Sequence, residues 1–321
     1  MLTMDFGPAD LASVRFAISP LVEVWQSVRA LQNPAAKALH LSWIADTNKR
    51  TRDLDLSMLY ALQPPVGFSP DFIHPPPTTP LADFEDELAQ MLSTPPEWIR
   101  YEVAHAQNCG EVPAVLRRFI DQPDVALIEL RDLLRAYWRR ALAPHWERIR
   151  AVLEGDVLYR ARQNADGGAQ RLFADIDRSV RFVENRLLVD KPWDVSMALN
   201  GRGLLFVPSV FSWPLLAVID HGPWQPTMIY PARGSALLWE PVRSAPEALA
   251  ALIGTRRASV LMSLDAPLST TDLARRLGVT PGSVSQHLAV LREAGLISRH
   301  RVGRVVLYGR SSTGELLTTG H

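Results

Sequence analysis

"RLGVTPGSVSQHLAVLREAGLISRHRVGRVVLY", residues 276 to 308, sets a tight turn, a helix and an arginine-bearing hairpin one after another. Thr280 reads as a helix N-cap, with Pro281 at the first helical position, where a missing N–H costs nothing. Gly295 closes the helix through the left-handed region. Between them Val284, His287, Leu288 and Leu291 fall at i, i+3, i+4 and i+7, one apolar stripe. Gly282, Ser285, Gln286, Ala289 and Arg292 share the other side. A solvated surface helix more usually carries Glu and Lys there. Short polar residues instead let a helix approach a surface closely, as entry into a DNA major groove requires.

Working upstream, "STTDLARRLG" reads as a helix started by Ser269, with Asp272 at capping-box spacing, and ended by Gly278. Ala274, Gly278 and Val284 then supply what a helix-turn-helix needs: a small residue at the crossing, a turn residue tolerating positive φ, and an apolar plug. Upstream again, "SAPEALAALIGTRRASVLMSLD" reads as a helix capped near Ser244 or Ala245, with Pro246 in its first turn. Downstream, "LISRHRVGRVVLYG" reads as two strands about Gly303, with Arg299, Arg301 and Arg304 around the tip. A hairpin after such a helix is a wing, and cations at its tip suit phosphates or the minor groove. The competing reading is a charged edge kept soluble. The DNA-binding expectation therefore covers Thr280, Ser283, Ser285, Gln286, His287, Arg292, Arg299, Arg301 and Arg304, with His287 also readable as a partly buried helix residue.

"VSQHLAVLREAGLISRHRVGRVVLY" resembles the winged helix-turn-helix of the ArsR/SmtB-type bacterial repressors. Ser285, His287, Leu288, Leu291, Ala294, Gly295, Leu296, Gly303, Arg304 and Tyr308 fill that pattern without a gap. The resemblance spans 246 to 310 and implies a dimeric repressor relieved by a small signal. Metal-sensing members carry a cysteine pair before the turn, or Asp and His ligands on a helix after the wing. Here those places read "TTDLARRL" and "SSTGELLTTGH", so no metal or cofactor is expected. Upstream, "PDFIHPPP", "VPSVF" and "IYPARG" resemble a large N-terminal domain of actinobacterial regulators of this type.

The rest of the chain is consistent with an appended reading module. Among 321 residues, 34 Lys and Arg balance 34 Asp and Glu. From Pro246 onward nine Arg face five acids, a net of +4, which leaves 25 basic and 29 acidic residues, a net of −4, before it. One basic end on a mildly acidic body points to an anionic partner for that end alone. No apolar run is long enough to span a bilayer, so no membrane partner is expected. The N-terminus lacks a basic start followed by an apolar core, and a cytoplasmic location is expected. The single cysteine, Cys109, excludes an internal disulfide framework.

The expected fold class is α+β: a mixed N-terminal body, helices and then a small β region, followed by the winged helix-turn-helix. "SPLVEVWQSVRALQ" is an amphipathic helix stopped at Asn33-Pro34, and "AAKALHLSWIADTNKR" a second. Seven prolines in residues 63 to 80 make an extended strap, with Phe68, Phe72 and Ile73 as anchors. Helices follow from Leu81, the longest bending at Pro144 rather than ending there. Past Gly167-Gly168, "NRLLVD", "GLLFVPSVF", "LLAVID" and "PTMIYP" read as strands. The expected divisions are 1–80, a helical segment with the strap; 81–240, a sensor and dimerisation domain; and 241–321, the DNA-binding domain.

His105 and Cys109 share a helix face, and Asp220-His221 lies in a turn. No orienting acid or oxyanion motif accompanies the first pair, and the second, beside Gly222-Pro223, reads as a turn, so neither is assigned a catalytic or metal role. The nine Trp read first as core; their functional reading is a pocket for a flat apolar effector. The expected function is thus a homodimeric repressor that binds double-stranded DNA and answers to a small apolar molecule. Two alternatives remain at this stage: an enzyme with an appended winged helix, or a ligand-free interaction protein. The first lacks any phosphate loop, nucleophile elbow, HExxH or dinucleotide fingerprint.

Overall fold

The computed structural model describes residues 1–65, 67, 69–106, 112–220, 222–239, 247–302 and 305–319. Its fold is α+β. In chain order the first elements are β1 (Leu2–Asp5), α1 (Pro8–Ala12), β2 (Arg15–Phe16), α2 (Pro20–Gln32), α3 (Leu41–Arg50) and α4 (Ser57–Leu62). The helices α5 (Phe84–Leu92), α6 (Pro96–Ala106), α7 (Ala114–Asp121), α8 (Pro123–Ala141) and α9 (Trp146–Phe173) follow. Six strands come next: β3 (Val180–Val183), β4 (Arg186–Val189), β5 (Val195–Ala198), β6 (Leu205–Ser209), β7 (Ala217–Ile219) and β8 (Thr227–Pro231). The last elements are α10 (Glu247–Ile253), α11 (Thr255–Met262), β9 (Leu268–Ser269), α12 (Thr270–Leu277), α13 (Pro281–Glu293), β10 (Ile297–Val302), β11 (Val305–Arg310) and α14 (Ser312–Thr319).

The chain divides into two compact units, Met1–Trp146 with Gln163–Ala232, and Glu147–Arg162 with Arg233–His321. The first unit is organised around α2. Ser19 Oγ accepts the Val22 amide and Pro20 opens the helix, so its first turn is capped by sequence alone. Every residue from Pro20 to Leu31 is buried, which for a helix means partners on all sides. Trp25 donates its indole N–H to the Ile73 carbonyl of the proline-rich strap, at 2.6 Å. Phe72 and Ile73 are fully buried, the anchoring expected of them, while Phe68 lies outside the described residues.

The unit's strands form two four-stranded sheets, ordered β3-β4-β1-β5 and β2-β6-β8-β7. Leu2, Met4, Phe6, Leu187, Val189, Phe206 and Tyr230 meet in one apolar core. Four details depart from the sequence expectation. The residues ahead of the first expected helix, given no element from the sequence, include strand β1, paired antiparallel with β4 and parallel with β5, with Leu2 and Met4 turned inward. The segment before α3 is a 3-10 turn over Pro34–His40, not part of one continuous helix. The helix through Pro144 does end: α8 stops at Ala141 and one 3-10 turn, Ala143–His145, precedes α9, because Pro144 has no amide to donate. Gly167-Gly168 does not end α9 but kinks it, Gly168 standing at φ +61°, and the helix runs on to Phe173.

His105 stacks on Tyr101 with ring centroids 4.9 Å apart. Cys109 and His221 lie outside the described residues. No described helix is long and apolar enough to cross a membrane. No group of three or more His, Cys, Asp or Glu able to hold a metal occurs among the described residues.

Candidate nucleic-acid interface

In the second unit Val260, Leu261, Leu264, Leu268, Leu273, Val284, Leu288, Leu291 and Ile297 form the core, and Ala151 of α9 joins it. The helix expected before the turn is two, α10 and α11, broken where Gly254 takes φ +85°. Its expected caps, Ser244 and Ala245, and Pro246 lie outside the described residues.

The turn is built as its residues dictate. Ser269 Oγ accepts the Asp272 amide at 3.2 Å and starts α12. Gly278 ends it at φ +65°, and the Val279 amide returns to the Ala274 carbonyl at 3.0 Å. Thr280 Oγ1 then accepts the Ser283 amide at 3.4 Å, with Pro281 in the first turn of α13. Ala274 is buried at the crossing, and Val284, Leu288 and Leu291 turn inward.

What α13 leaves outside decides what it can do. Thr280, Ser285, Gln286, Ala289 and Arg292 are exposed, while Ser283 and His287 are half-buried. Val290 is also exposed, at 44%, and sequence reasoning missed it; an apolar residue there suits a thymine methyl group. After Gly295, the Leu296 amide returns to the Leu291 carbonyl at 2.9 Å, and β10 follows. The sheet is ordered β10-β11-β9, antiparallel throughout. Arg299 lies opposite Tyr308 and Arg301 opposite Val306, and the last described pair is Val302 with Val305. Arg299 and Arg301 are exposed; Gly303 and Arg304 lie outside the described residues. Between the two arginines, His300 Nε2 lies 3.1 Å from Ser298 Oγ, and burial, then the Arg162 charge, holds its imidazole below the usual value.

Among the described cations of this unit, two groups differ in their partners. Arg275 pairs with Glu147 at 3.0 Å, Arg276 with Asp265 at 3.0 Å and Arg310 with Glu315 at 3.1 Å. Arg292 and Arg299 have no acidic partner among the described residues, so their charge is open to an external anion.

An inward-packed helix pair, an outward short-chained helix face and a hairpin beside it define a winged helix-turn-helix. Residues 256–299 match the family described as bacterial regulatory protein, arsR family, and residues 89–236 match DUF5937, a family of unknown function. The C-terminal segment is thus an arsR-family helix-turn-helix, and the body carries a DUF5937 domain. The chain is similar to the transcriptional activator HlyU of Vibrio cholerae, 41% identical over 66 residues, and to the HTH-type transcriptional regulator NmtR of Mycobacterium tuberculosis, 39% identical over 66. Each stretch is 20% of this chain and 61% or 55% of the relative, so the chain spans less than two thirds of the curated relatives it matches. No solved structure matches it.

Proposed function

We propose that the protein is a sequence-specific, DNA-binding transcriptional regulator, a homodimeric repressor whose N-terminal body takes up a small effector, and not an enzyme. The observation that carries the reading is the outward face of α13, short, polar and flanked by Arg292 and Arg299 with no acidic partner among the described residues. In this reading Thr280, Ser283, Ser285, Gln286 and His287 meet base edges or nearby phosphates in the major groove. Arg292, Arg299, Arg301 and Arg304 meet phosphates. Dimerisation is supported by two exposed leucines on helices flanking the module, Leu252 at 72% and Leu316 at 74%. A two-fold dimer places its half-sites about 10 bp apart, or a multiple of that.

The test is selection of duplexes from a random pool by the full-length protein, followed by anisotropy titration. A palindromic preference lost in Ser285→Ala/Gln286→Ala supports the reading. Binding of equal strength to all duplexes, or none, overturns it. One relative bears the name of an activator, so a reporter driven from the selected sequence decides the sign: repression is expected.

A further inference from the structure

Arg29, in the last turn of α2, is only 9% exposed. Its hydrogen bonds run to neutral oxygens: Nε donates to the Pro64 carbonyl at 3.2 Å and Nη2 to Ser69 Oγ at 3.0 Å. Two of its five N–H donors are thereby used. Burial lowers its guanidinium to about 10, and no carboxylate among the described residues offsets that. Arginine keeps its charge at any physiological pH, and a buried cation without a counter-charge is expensive.

Its surroundings supply no relief. Lys37 and Lys191 both feel its charge and are both pushed down, first by burial and then by Arg29. Lys37 shares the interior with Glu23, whose carboxyl burial pushes up to about 8, so Glu23 supplies no lasting counter-charge for Arg29 near neutral pH. The ammonium of Lys37 donates to the carbonyls of Phe211, Ser212 and Trp213, so it clamps that loop and has no proton left. Lys191 donates to the Leu216 carbonyl at 2.6 Å, and Asp220 and Asp177 act on it only from a distance. His74, within reach of Arg29, is held down at about 4 by burial and is therefore neutral. Its buried Nδ1 has no hydrogen-bond partner among the described residues.

The same region exposes large apolar side chains. The loop that Lys37 clamps presents Trp213 at 44%, and Trp193 stands 54% exposed with Lys191 Nζ 5.7 Å from its ring. We infer that this region of the first unit binds a small organic anion, a carboxylate borne on an apolar group. Arg29 takes the carboxylate in its free fork, Lys191 and His74 stand as further polar partners, and Trp193 and Trp213 cover the apolar part. The apolar effector expected from the tryptophans becomes an amphipathic acid. Its meaning as an effector rests on the regulator reading; its binding does not.

The experiment uses the full-length chain without DNA, titrated with benzoate, 1-naphthoate, octanoate, the neutral 1-naphthalenemethanol and inorganic phosphate. Melting temperature and tryptophan fluorescence are followed. At least one carboxylate should raise the melting point and change the fluorescence, and the neutral alcohol should do neither. Arg29→Gln should weaken that binding about tenfold or more. Should Arg29→Gln not fold, Lys191→Gln and Trp193→Ala decide, each weakening binding severalfold. Silence towards all three carboxylates, equal response to acid and alcohol, response to phosphate alone, or undiminished binding in the folded variants overturns the inference. A separate ligand-free DNA titration shows whether the regulator reading fails on its own.

Discussion

Salt should weaken DNA binding along a slope that the sorting of the arginines sets. Arg275, Arg276 and Arg310 already have acidic partners, whereas Arg292 and Arg299, exposed beside the outer face of α13 and along the wing, have none among the described residues. Each neutralised phosphate contributes about −0.9 to the slope of log affinity against log salt. The four phosphate contacts proposed for Arg292, Arg299, Arg301 and Arg304, doubled in a dimer, give a slope of about −7, so a fourfold rise in salt weakens binding on the order of ten-thousandfold. Arg299→Ala removes one contact from each protomer and should flatten the slope to about −5.4. Arg275→Ala is the control, because its guanidinium is 3.0 Å from Glu147 and has little charge to offer elsewhere. The assay is fluorescence anisotropy on a labelled operator duplex across a sodium chloride series. A slope unmoved by Arg299→Ala, or flattened as much by Arg275→Ala, would refute the assignment of these cations.

Gln286→Ala should change which duplexes are preferred and leave the salt slope alone, measured by repeating the selection with the variant. Leu288→Ala opens the core of the module at a residue 1% exposed and should cost about 3–5 kcal/mol in urea unfolding; a cost near zero would mean that α13 does not pack as described. Gly314→Ala should lower the melting temperature, because a Cβ there would lie 2.0 Å from the Leu296 carbonyl oxygen; an unchanged value would remove that close approach. Burial raises the Glu87 carboxyl to about 8, from 4.5. The folded state therefore holds a proton that the unfolded state releases, and this contribution, full below pH 4.5, is lost as pH rises to 8. Glu87→Gln should gain on the wild type by up to about 4 kcal/mol between pH 5 and pH 8, read from urea midpoints; a pH-independent difference would contradict it.

The winged module was legible because nearly every determinant is local. Thr280, Pro281, Gly278 and Gly295 each act within a turn of their own position, and the stripe of Val284, Leu288 and Leu291 needs only helical periodicity. Ser285 and Gln286 follow as the residues such a helix must leave outside. The body was less legible because its determinants are distant in sequence. Strand β1 is fixed by partners near 189 and 195, and the length of Leu2–Asp5 gave alternation little room to show. The inclusion of residues 147–162 in the second unit had no local marker either, since a helix that places Ala151 in another core reads like any helix.

The two charged residues of α2 show the same limit from the other side. In the string "SPLVEVWQSVRALQ", Glu23 and Arg29 read as the wet face of an amphipathic helix, and nothing local argues otherwise. Segments remote in sequence meet them, the strap at Arg29 and the 209–213 loop at Glu23. A charge placed on a helix by a pattern of period 3.6 is ordinary. A buried cation held by a strap distant in sequence, with neutral oxygens as its only hydrogen-bond partners among the described residues, is costly to the fold. That cost is what a folded chain without a ligand would be selected to remove, by the exchange of Arg29 for leucine or methionine, and its presence at a buried helix end is the physical reason to look for an anion there.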